Sequence, residues 1–223
     1  MKEKDKRKDE VTMSLFDEKC SAVLKDTGIL PVVCLKNESE LRTFMSAVMK
    51  SPVRCIEITL RHPFALDAIT RIKEKHPEVT VGAGTVTSAE KLDLAIRCGA
   101  DFCVAPGTAE DLIAASEKRN MPFLPGVSTP SEILKVSALG YKVVKYFPAE
   151  LSGGIKALRL YEGAFADTVF LPTGGITLEN LPEYLKCKNV LACGGSFMLP
   201  ATMLAKGDSE GIYNTIISCL RKG

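Results

Sequence analysis

The chain of 223 residues is 46% hydrophobic and 25% charged, which is enough for one large core and fits one α/β barrel as well as two small domains. Its net charge of +2 provides no basic surface, and no stripe of Lys and Arg alternates with aromatic residues, so we expect no nucleic-acid partner. No apolar run reaches the length of a membrane span and the N-terminus lacks the apolar region of a signal peptide, so we expect a cytoplasmic protein that makes no membrane contact.

The first 13 residues are charged, with five basic and four acidic side chains among the first ten. We expect this extension, residues 1–13, to be solvated and disordered, and its interspersed acids argue against a targeting or nucleic-acid arm. Ser14 is a suitable helix N-cap, and a helical stripe that stops at Gly28 follows it: Leu15, Phe16, Cys20, Val23 and Leu24. The pattern predicts a short N-terminal helix that covers the bottom of the following domain.

After Gly28 one theme repeats: a short apolar run rich in β-branched residues, a turn signal, and a segment with helical periodicity. Strands are predicted to begin, about 20 to 26 residues apart, near Ile29, Arg54, Val79, Asp101, Met121, Lys142, Thr168 and Asn189. The intervening helices have caps or turn residues at Asn37, His62, Ser88, Thr108, Thr129, Glu150 and Thr177. Eight such units predict one domain over residues 14–223 with the (β/α)8 TIM-barrel fold. A doubly wound open sheet is the structural alternative, but no G-x-G-x-x-G follows the first strand.

The second predicted strand, CIEITLR (55–61), alternates polar and apolar side chains. Its isoleucines and leucine share the parity expected against the helices, so Glu57, Thr59 and Arg61 are expected to point into the barrel. An exposed edge strand would show the same alternation, but in a closed barrel such charges reach solvent only at the mouth, where barrel sites lie. The third strand ends in VGAGTV (81–86), whose glycines allow close backbone approach to a ligand and whose Thr85 can hydrogen-bond to it.

A lysine stands within the sixth predicted strand, which opens VVKYFPAE (143–150). Lys145 must be desolvated, paired or chemically used, because burying an ammonium without compensation is costly. Alternation places it on the same face as Val143 and Phe147, and Pro148 ends the strand just beyond it. We therefore expect Lys145 near the barrel mouth, with Phe147 as a substrate contact. Lys142 has the opposite parity and can reach water along its aliphatic stem, so we assign it no function.

Paired glycines follow the seventh and eighth predicted strands, in PTGGI (172–176) and GGS (194–196). Such turns, each with a hydroxyl and helix-initiating N–H groups, form the usual phosphate site of a barrel. Either turn alone could reflect simple turn chemistry, but two at these positions favour phosphate. The candidate substrate contacts are Thr173, Gly174, Gly175, Gly195 and Ser196.

Together these residues predict a reaction. A buried amine has two reasons to lose its proton, desolvation and a like-charged guanidinium nearby, and a neutral lysine can attack a ketone. The resulting iminium is an electron sink, so an adjacent bond can break without a metal or another cofactor. Glu57 is the candidate for proton transfer, while Arg61 and Thr85 can hold a carboxylate. The sequence predicts a Schiff-base lyase that acts on a phosphorylated 2-oxo acid.

Six segments in order carry a family resemblance: EITLR (57–61), GAGTV (82–86), PGVST (125–129), KYFPAE (145–150), PTGGI (172–176) and GGS (194–196). They resemble the 2-keto-3-deoxy-6-phosphogluconate (KDPG) and 4-hydroxy-2-oxoglutarate (KHG) aldolases, and the resemblance runs from about residue 15 to the C-terminus. It implies a (β/α)8 barrel that forms a homotrimer, with Lys145 as the Schiff-base lysine and Glu57 as the acid/base. It assigns the pyruvate carboxylate to Arg61 and Thr85, and the phosphate to Gly174, Gly175 and Ser196.

One departure and two alternatives stay open. Some members of that family carry an arginine on the first strand, where this chain has PVVCLK (31–36), with Cys34 expected to be a packing residue. Preference among KDPG, its galactonate epimer and KHG is therefore open. A phosphosugar isomerase or epimerase barrel would use the same glycine turns but would need an acid/base pair or a metal rather than a buried lysine. A non-catalytic anion-binding barrel would leave Glu57, Arg61 and Lys145 compensated only by mutual pairing.

The cysteines and histidines predict no further site. The eight cysteines, at 20, 34, 55, 98, 103, 187, 193 and 219, form no C-x-x-C pair, and several lie in apolar runs. This placement is typical of reduced core thiols. The chain has two histidines, His62 and His76, so we expect no histidine-rich metal site.

Overall fold

The structure is a computed structural model that describes residues 15–220. The predicted disordered extension and the proposed cap Ser14 lie outside the described residues. The helices are α1 (Leu15–Thr27), α2 (Glu38–Lys50), α3 (Phe64–Lys75), α4 (Ala89–Arg97), α5 (Glu110–Lys118), α6 (Pro130–Ala138), α7 (Gly154–Ala164), α8 (Leu181–Leu185), α9 (Ala201–Lys206) and α10 (Ser209–Leu220). The strands are β1 (Ile29–Val33), β2 (Cys55–Thr59), β3 (Thr80–Gly84), β4 (Phe102–Val104), β5 (Phe123–Leu124), β6 (Gly126–Val127), β7 (Val143–Tyr146), β8 (Val169–Pro172) and β9 (Cys193–Gly195).

The strands form an α/β fold with a curled parallel sheet. One sheet has the order β5-β4-β3-β2-β1-β9 and a second has the order β6-β7-β8, with every pair parallel. The predicted fifth strand is split into β5 and β6 at Pro125, because proline has no N–H to donate to a strand ladder. Two isolated bridges, Phe170 to Val190 and Thr173 to Gly194, connect the β8 segment to the β9 segment.

The buried apolar side chains separate into two clusters on opposite faces of the strands. The larger cluster lies between strands and helices and includes Ile56, Ile58, Val144 and Tyr146. The smaller cluster contains Phe16, Cys20, Leu24, Leu30, Val32, Cys55, Phe102, Val104, Leu124, Val143, Leu171 and Ala192. Alternate residues of β2 and β7 thus fall in different clusters, as the predicted parity requires. The inner face of both strands is the face that carries Glu57 and Lys145.

Helix α1 closes one end of this inner cluster, as the sequence predicts. Phe16, Cys20 and Leu24 are buried and pack against inward side chains of the strands, with the ring of Phe16 edge-on to that of Phe102. The helix ends at Thr27, and Gly28 follows with a φ of 67° in the left-handed region. Because α1 leads directly into the N-terminus of β1, it covers the N-terminal end of the strands and leaves the other end for a site.

Three of the predicted helix starts carry the expected N-cap hydrogen bond, at Asn37, Ser88 and Thr129. Two others begin later than predicted for local reasons. The hydroxyl of Thr108 donates to the carbonyl of Gly126 at 2.7 Å, and α5 starts at Glu110. Asn180, not Thr177, precedes α8, and its side chain accepts from the Thr177 amide at 2.8 Å.

The remaining boundaries also differ by a few residues. Helix α3 starts at Phe64 rather than at His62, and Glu150 opens a short 3-10 turn before α7 begins at Gly154. The last strand begins at Cys193 rather than near Asn189, whose side chain donates instead to the Leu158 carbonyl at 2.8 Å. None of the helices between residues 15 and 220 is both long and apolar enough to span a bilayer.

All eight cysteines lie in the described part of the chain as free thiols. Six are buried, and Cys34 and Cys98 are half-buried. Burial raises the pKa of the Cys103 thiol to about 12, so this side chain stays protonated and behaves as a small apolar residue. The predicted placement of most cysteines in the core is confirmed.

Candidate active site

Two buried charges meet on the inner face of the strands. Lys145 on β7 is 6% exposed and Glu57 on β2 is 1% exposed. The Nζ atom of Lys145 lies 3.4 Å from Oε1 and 3.5 Å from Oε2 of Glu57. Since β2 and β7 are not neighbours in either sheet, the two side chains meet across the interior. Lys142, by contrast, is exposed.

The pairing of Lys145 and Glu57 compensates two desolvated charges without locking them together. Removing one partner of a buried pair is costly because it leaves an isolated charge. Both distances are nevertheless longer than the about 2.7–2.9 Å of a strong charge-assisted hydrogen bond. The amine therefore retains room to turn toward another group, and the carboxylate lies within reach of anything bound to the amine.

A glycine makes space for the carboxylate. A Cβ added at Gly84, the last residue of β3, would lie 2.0 Å from Oε1 of Glu57 and 2.7 Å from its Cδ. No side chain larger than hydrogen fits there unless Glu57 moves. The sequence places Gly84 in a site-forming segment but gives no sign that its function is to admit Glu57.

Arg61 lies farther out than expected. It follows the end of β2 and is exposed, with Nε donating to Oγ1 of Thr59 at 3.3 Å. Thr59 is buried and donates in turn to the Val33 carbonyl at 3.2 Å. The structure thus connects Arg61 to the strands through Thr59, and no contact between Arg61 and Lys145 is found among the described residues. The sequence predicted that Thr59 points inward but did not predict this contact with Arg61.

Thr85 has a strained backbone. Its φ is 62°, in the left-handed region, where a β-branched residue is a genuine outlier. Such a conformation costs about 1–3 kcal/mol and is concentrated at functional sites. Thr85 is half-buried and directly follows Gly84, the residue that borders the Glu57 carboxylate.

Phe147 connects the lysine to the first glycine turn. The centroid of its ring lies 5.5 Å from Nζ of Lys145. A Cβ at Gly174 would lie 3.2 Å from Cε2 of the same ring. The ring therefore lies close both to the amine and to the first glycine turn, which holds the predicted phosphate contacts.

The two glycine turns are neighbours, since Thr173 is bridged to Gly194. Gly174 and Gly175 have φ values of 95° and 84°, which other residues adopt only with strain. One expectation is corrected: α8 and α9 begin at Leu181 and Ala201, well after the turns, so helix-initiating amides are not part of them. Any anion contact must come from the amides of the turns themselves.

Two hydroxyls accompany these turns. Thr173 is 6% exposed and its Oγ1 has no hydrogen-bond partner among the described residues. An unsatisfied buried polar group costs about 1–3 kcal/mol, so this hydroxyl is a candidate for a ligand contact. A Cβ at Gly194 would lie 2.7 Å from it, so that glycine is also required. Ser196 follows Gly195 and is exposed.

The chain has relatives of known name. The family model for KDPG and KHG aldolase matches residues 20–215. The KHG/KDPG aldolase of Escherichia coli K12 is 38% identical over 200 residues, which cover 90% of this chain and 94% of that protein. The 2-dehydro-3-deoxy-phosphogluconate aldolase of Pseudomonas aeruginosa is 39% identical over 184 residues, 82% of this chain and 84% of its own length. A crystal structure of KDPG aldolase from Legionella pneumophila, with pyruvate captured at low pH as a covalent carbinolamine intermediate, superposes with a TM-score of 0.85 at 31% identity and covers 88% of this chain and 96% of that one.

Proposed function

The chain belongs to the KDPG and KHG aldolase family, and from this we propose that it is a class I aldolase. It cleaves KDPG to pyruvate and glyceraldehyde 3-phosphate, with KHG, which gives pyruvate and glyoxylate, as a second substrate. The observation that carries the proposal is the buried pair of Lys145 and Glu57 at 3.4 Å. An amine and a carboxylate in contact on the inner face are the two groups that imine chemistry requires.

In the proposed mechanism Lys145 is the nucleophile. Its neutral Nζ adds to the C2 carbonyl to form a C–N bond, and loss of water from the carbinolamine gives an iminium. The C4 hydroxyl then gives up its proton and the C3–C4 bond breaks, with its electron pair moving into the iminium to form an enamine. The aldehyde leaves, C3 takes a proton, and water releases pyruvate from the lysine.

We assign these proton transfers to Glu57. Its carboxylate lies against Nζ, where it can accept a proton from the amine, remove the proton of the C4 hydroxyl and return a proton to C3. The position of Gly84 supports this role, since a glycine there allows the carboxylate to lie beside the amine. Burial of both groups excludes bulk water, which strengthens every charge interaction during the reaction.

We place the pyruvate carboxylate near Arg61 and Thr85. A guanidinium can bind a carboxylate with two parallel hydrogen bonds, and the hydroxyl of Thr85 can add a third. The exposed position of Arg61 requires its long side chain to turn inward when substrate enters. The strained φ of Thr85 supports a role in binding, because such strain persists where it serves a site.

We place the phosphate at the two glycine turns. Within the described residues, the amides of Gly175 and Ile176 donate to no other group, so they can bind an anion. Ser196 adds a hydroxyl, and Gly195 lets the chain turn close to the ligand. Thr173, with its buried and unpaired hydroxyl, would contact the hydroxylated carbons between the phosphate and the imine.

We further propose that the strands close into a (β/α)8 barrel over residues 14–223. One sheet ends at β5 and the other begins at β6, on either side of Pro125, and the bridges at Phe170 and Thr173 connect the β8 segment to the β9 segment. Counting β5 and β6 as one bent strand gives eight strands in a ring. Residues 1–13 lie outside the described residues and are not part of the proposed barrel.

A homotrimer is proposed on the family resemblance. It is supported by exposed leucines that an interface would cover, namely Leu134, Leu139, Leu151 and Leu160. Light scattering that gives the monomer mass would contradict it. The eight free thiols support a reducing, cytoplasmic location.

Metal-independent chemistry is proposed because the iminium is itself the electron sink. Among residues 15–220 no three His, Cys, Asp or Glu side chains gather where they could hold a metal ion. A metal-dependent isomerase would therefore find no ligand set among these residues. The galactonate epimer of KDPG remains the alternative substrate, because the first-strand segment PVVCLK (31–36) lacks the arginine that some members of the family carry on this strand.

The test is a cleavage assay that follows pyruvate release from KDPG, its galactonate epimer and KHG, with and without excess EDTA. We expect KDPG to give the highest kcat/KM and EDTA to leave it unchanged. Loss of activity in EDTA with recovery on adding a divalent ion would assign the protein to a metal-dependent class. A higher kcat/KM for the galactonate epimer would change the substrate but not the mechanism.

A further inference from the structure

Glu150 ends the KYFPAE motif, yet the proposed mechanism gives it no role. It follows the strand of Lys145 and is itself exposed. Its Oε1 accepts a hydrogen bond from the hydroxyl of Tyr184 on α8, a side chain that is fully buried. A buried tyrosine thus donates its hydroxyl to a carboxylate at the surface, and this arrangement needs a physical reason.

The backbone beside Glu150 is attached to the first glycine turn. The Ala149 amide donates to the Thr173 carbonyl at 2.9 Å, and the Glu150 amide donates to the Gly174 carbonyl at 3.1 Å. A Cβ at Gly175 would lie 2.5 Å from Cγ of Glu150 and 2.6 Å from its Cβ. The turn therefore rests directly on the stem of the Glu150 side chain, and the position of that stem determines where the turn can lie.

The hydrogen bond from Tyr184 holds this stem. Burial raises the pKa of Tyr184, and the hydrogen bond and charge of Glu150 raise it further, so the phenol remains a proton donor. A Cβ at Gly154 would lie 3.1 Å from both the Tyr184 hydroxyl and Oε1 of Glu150, so the first residue of α7 encloses the bond. Without the Glu150 carboxylate, the Tyr184 hydroxyl would be a buried donor with no acceptor.

On these contacts we propose that Glu150 and Tyr184 are positioning residues that set the glycine turn, and with it the phosphate end of the substrate, relative to Lys145. The inference rests on the proposed function. Neither residue touches the imine or the reacting carbons. Because the turn binds phosphate while Lys145 and Glu57 perform the chemistry, a less firmly held turn should weaken the binding of phosphorylated substrate and leave imine formation unchanged.

The experiment compares four variants with the wild type: Glu150→Ala, Tyr184→Phe, Glu150→Gln and Glu179→Ala. Glu150→Gln keeps an oxygen that can accept from Tyr184. Glu179→Ala removes an exposed carboxylate from the segment after the same turn, one that pairs with no other described residue, and so controls for charge alone. Each protein is measured for kcat and KM with KDPG, for the rate of borohydride trapping with pyruvate, which carries no phosphate, and for thermal unfolding.

We expect KM for KDPG to rise about tenfold in Glu150→Ala and Tyr184→Phe, which corresponds to one lost hydrogen bond to a charged group. Glu150→Gln and Glu179→Ala should stay within about twofold of wild type. Trapping with pyruvate should stay unchanged in all four.

Unchanged KM in both Glu150→Ala and Tyr184→Phe would overturn the inference. The inference would also be overturned if KM rose, pyruvate trapping slowed and thermal stability fell together, because such a pattern would show a structural role alone. A wild-type protein that neither cleaves KDPG nor traps pyruvate would overturn the proposed function instead, and the positioning role would fall with it.

Discussion

Replacing Gly84 with alanine tests the geometry of the site through a single added methyl group. The new Cβ would lie 2.0 Å from Oε1, 2.7 Å from Cδ and 2.8 Å from Cγ of Glu57. Ordinary contacts begin at about 3.4 Å, so the carboxylate must move by roughly 1.4 Å or the strands must separate. The backbone of Gly84 does not require a positive φ, so the methyl group alone is responsible.

The expected loss is catalytic as well as structural. Overpacking of this kind typically destabilises by about 1–3 kcal/mol. A displacement of about 1 Å in a catalytic group can lower the rate by about 10²-fold. Since Glu57 is the proposed acid/base and its separation from Lys145 is already 3.4 Å, we expect kcat to fall by about that factor.

Gly82→Ala is the matched control. It lies on the same strand, two residues before Gly84, and although it pairs with Glu57 in the strand register, the nearest atoms to its added Cβ belong to the ring of Phe102, at 2.3 Å, and not to the Glu57 carboxylate. Both variants should lose thermal stability, but only Gly84→Ala should lose kcat out of proportion to that loss. If Gly84→Ala kept near-native turnover, or if both variants lost activity only to the extent that they unfold, the assigned position of Glu57 would be wrong.

Three further substitutions test separate parts of the account. Glu57→Gln keeps shape and hydrogen bonding but cannot transfer protons, so kcat should fall by about 10²- to 10⁴-fold with a smaller change in KM; unchanged turnover would remove Glu57 from the mechanism. Ser196→Ala should weaken the binding of phosphorylated substrate by about 1 kcal/mol and leave KHG cleavage almost unchanged. Equal losses with both substrates would refute the assignment of Ser196 to the phosphate. Glu132→Ala removes the capping box of α6, where burial raises the pKa of Glu132 but hydrogen bonds from Ser128 and Thr129 lower it overall. Because the pKa of Glu132 is lowered in the folded state, its contribution to stability is present at neutral pH and is lost as pH falls through that pKa. The variant should therefore be less stable than the wild type by about 1 kcal/mol at pH 7, and this difference should shrink in acid. A difference that does not depend on pH would contradict the assignment.

Much of the fold could be predicted because parity and period are local properties. The alternation of β2 and β7 assigns Ile56 and Val144 to the helix side and leaves Glu57 and Lys145 inside, which is what the two clusters show. The exposed Lys142 and the buried Lys145 differ by strand parity, as predicted. Such patterns depend on which face of an element is buried, and residue types report this directly.

Distances between elements could not be read in the same way. The contact between Lys145 and Glu57 joins residues of two strands that are not neighbours, and only the way the sheet curls determines their 3.4 Å separation. The pairing of Tyr184 with Glu150 likewise depends on where α8 packs. Late helix starts were missed because side chains such as Thr108 donate to another element, here the Gly126 carbonyl of β6, rather than to their own helix.

Borohydride reduction in the presence of pyruvate, followed by mass spectrometry of the digested protein, tests directly whether Lys145 forms a Schiff base. We predict a carboxyethyl group on Lys145 and on no other lysine, including the exposed Lys142 that immediately precedes β7. Lys145→Arg, which keeps the charge but cannot form the imine, should give no adduct and no cleavage. A wild-type protein that cleaves KDPG without an adduct on Lys145, or a Lys145→Arg variant with near-native turnover, would contradict the Schiff-base mechanism.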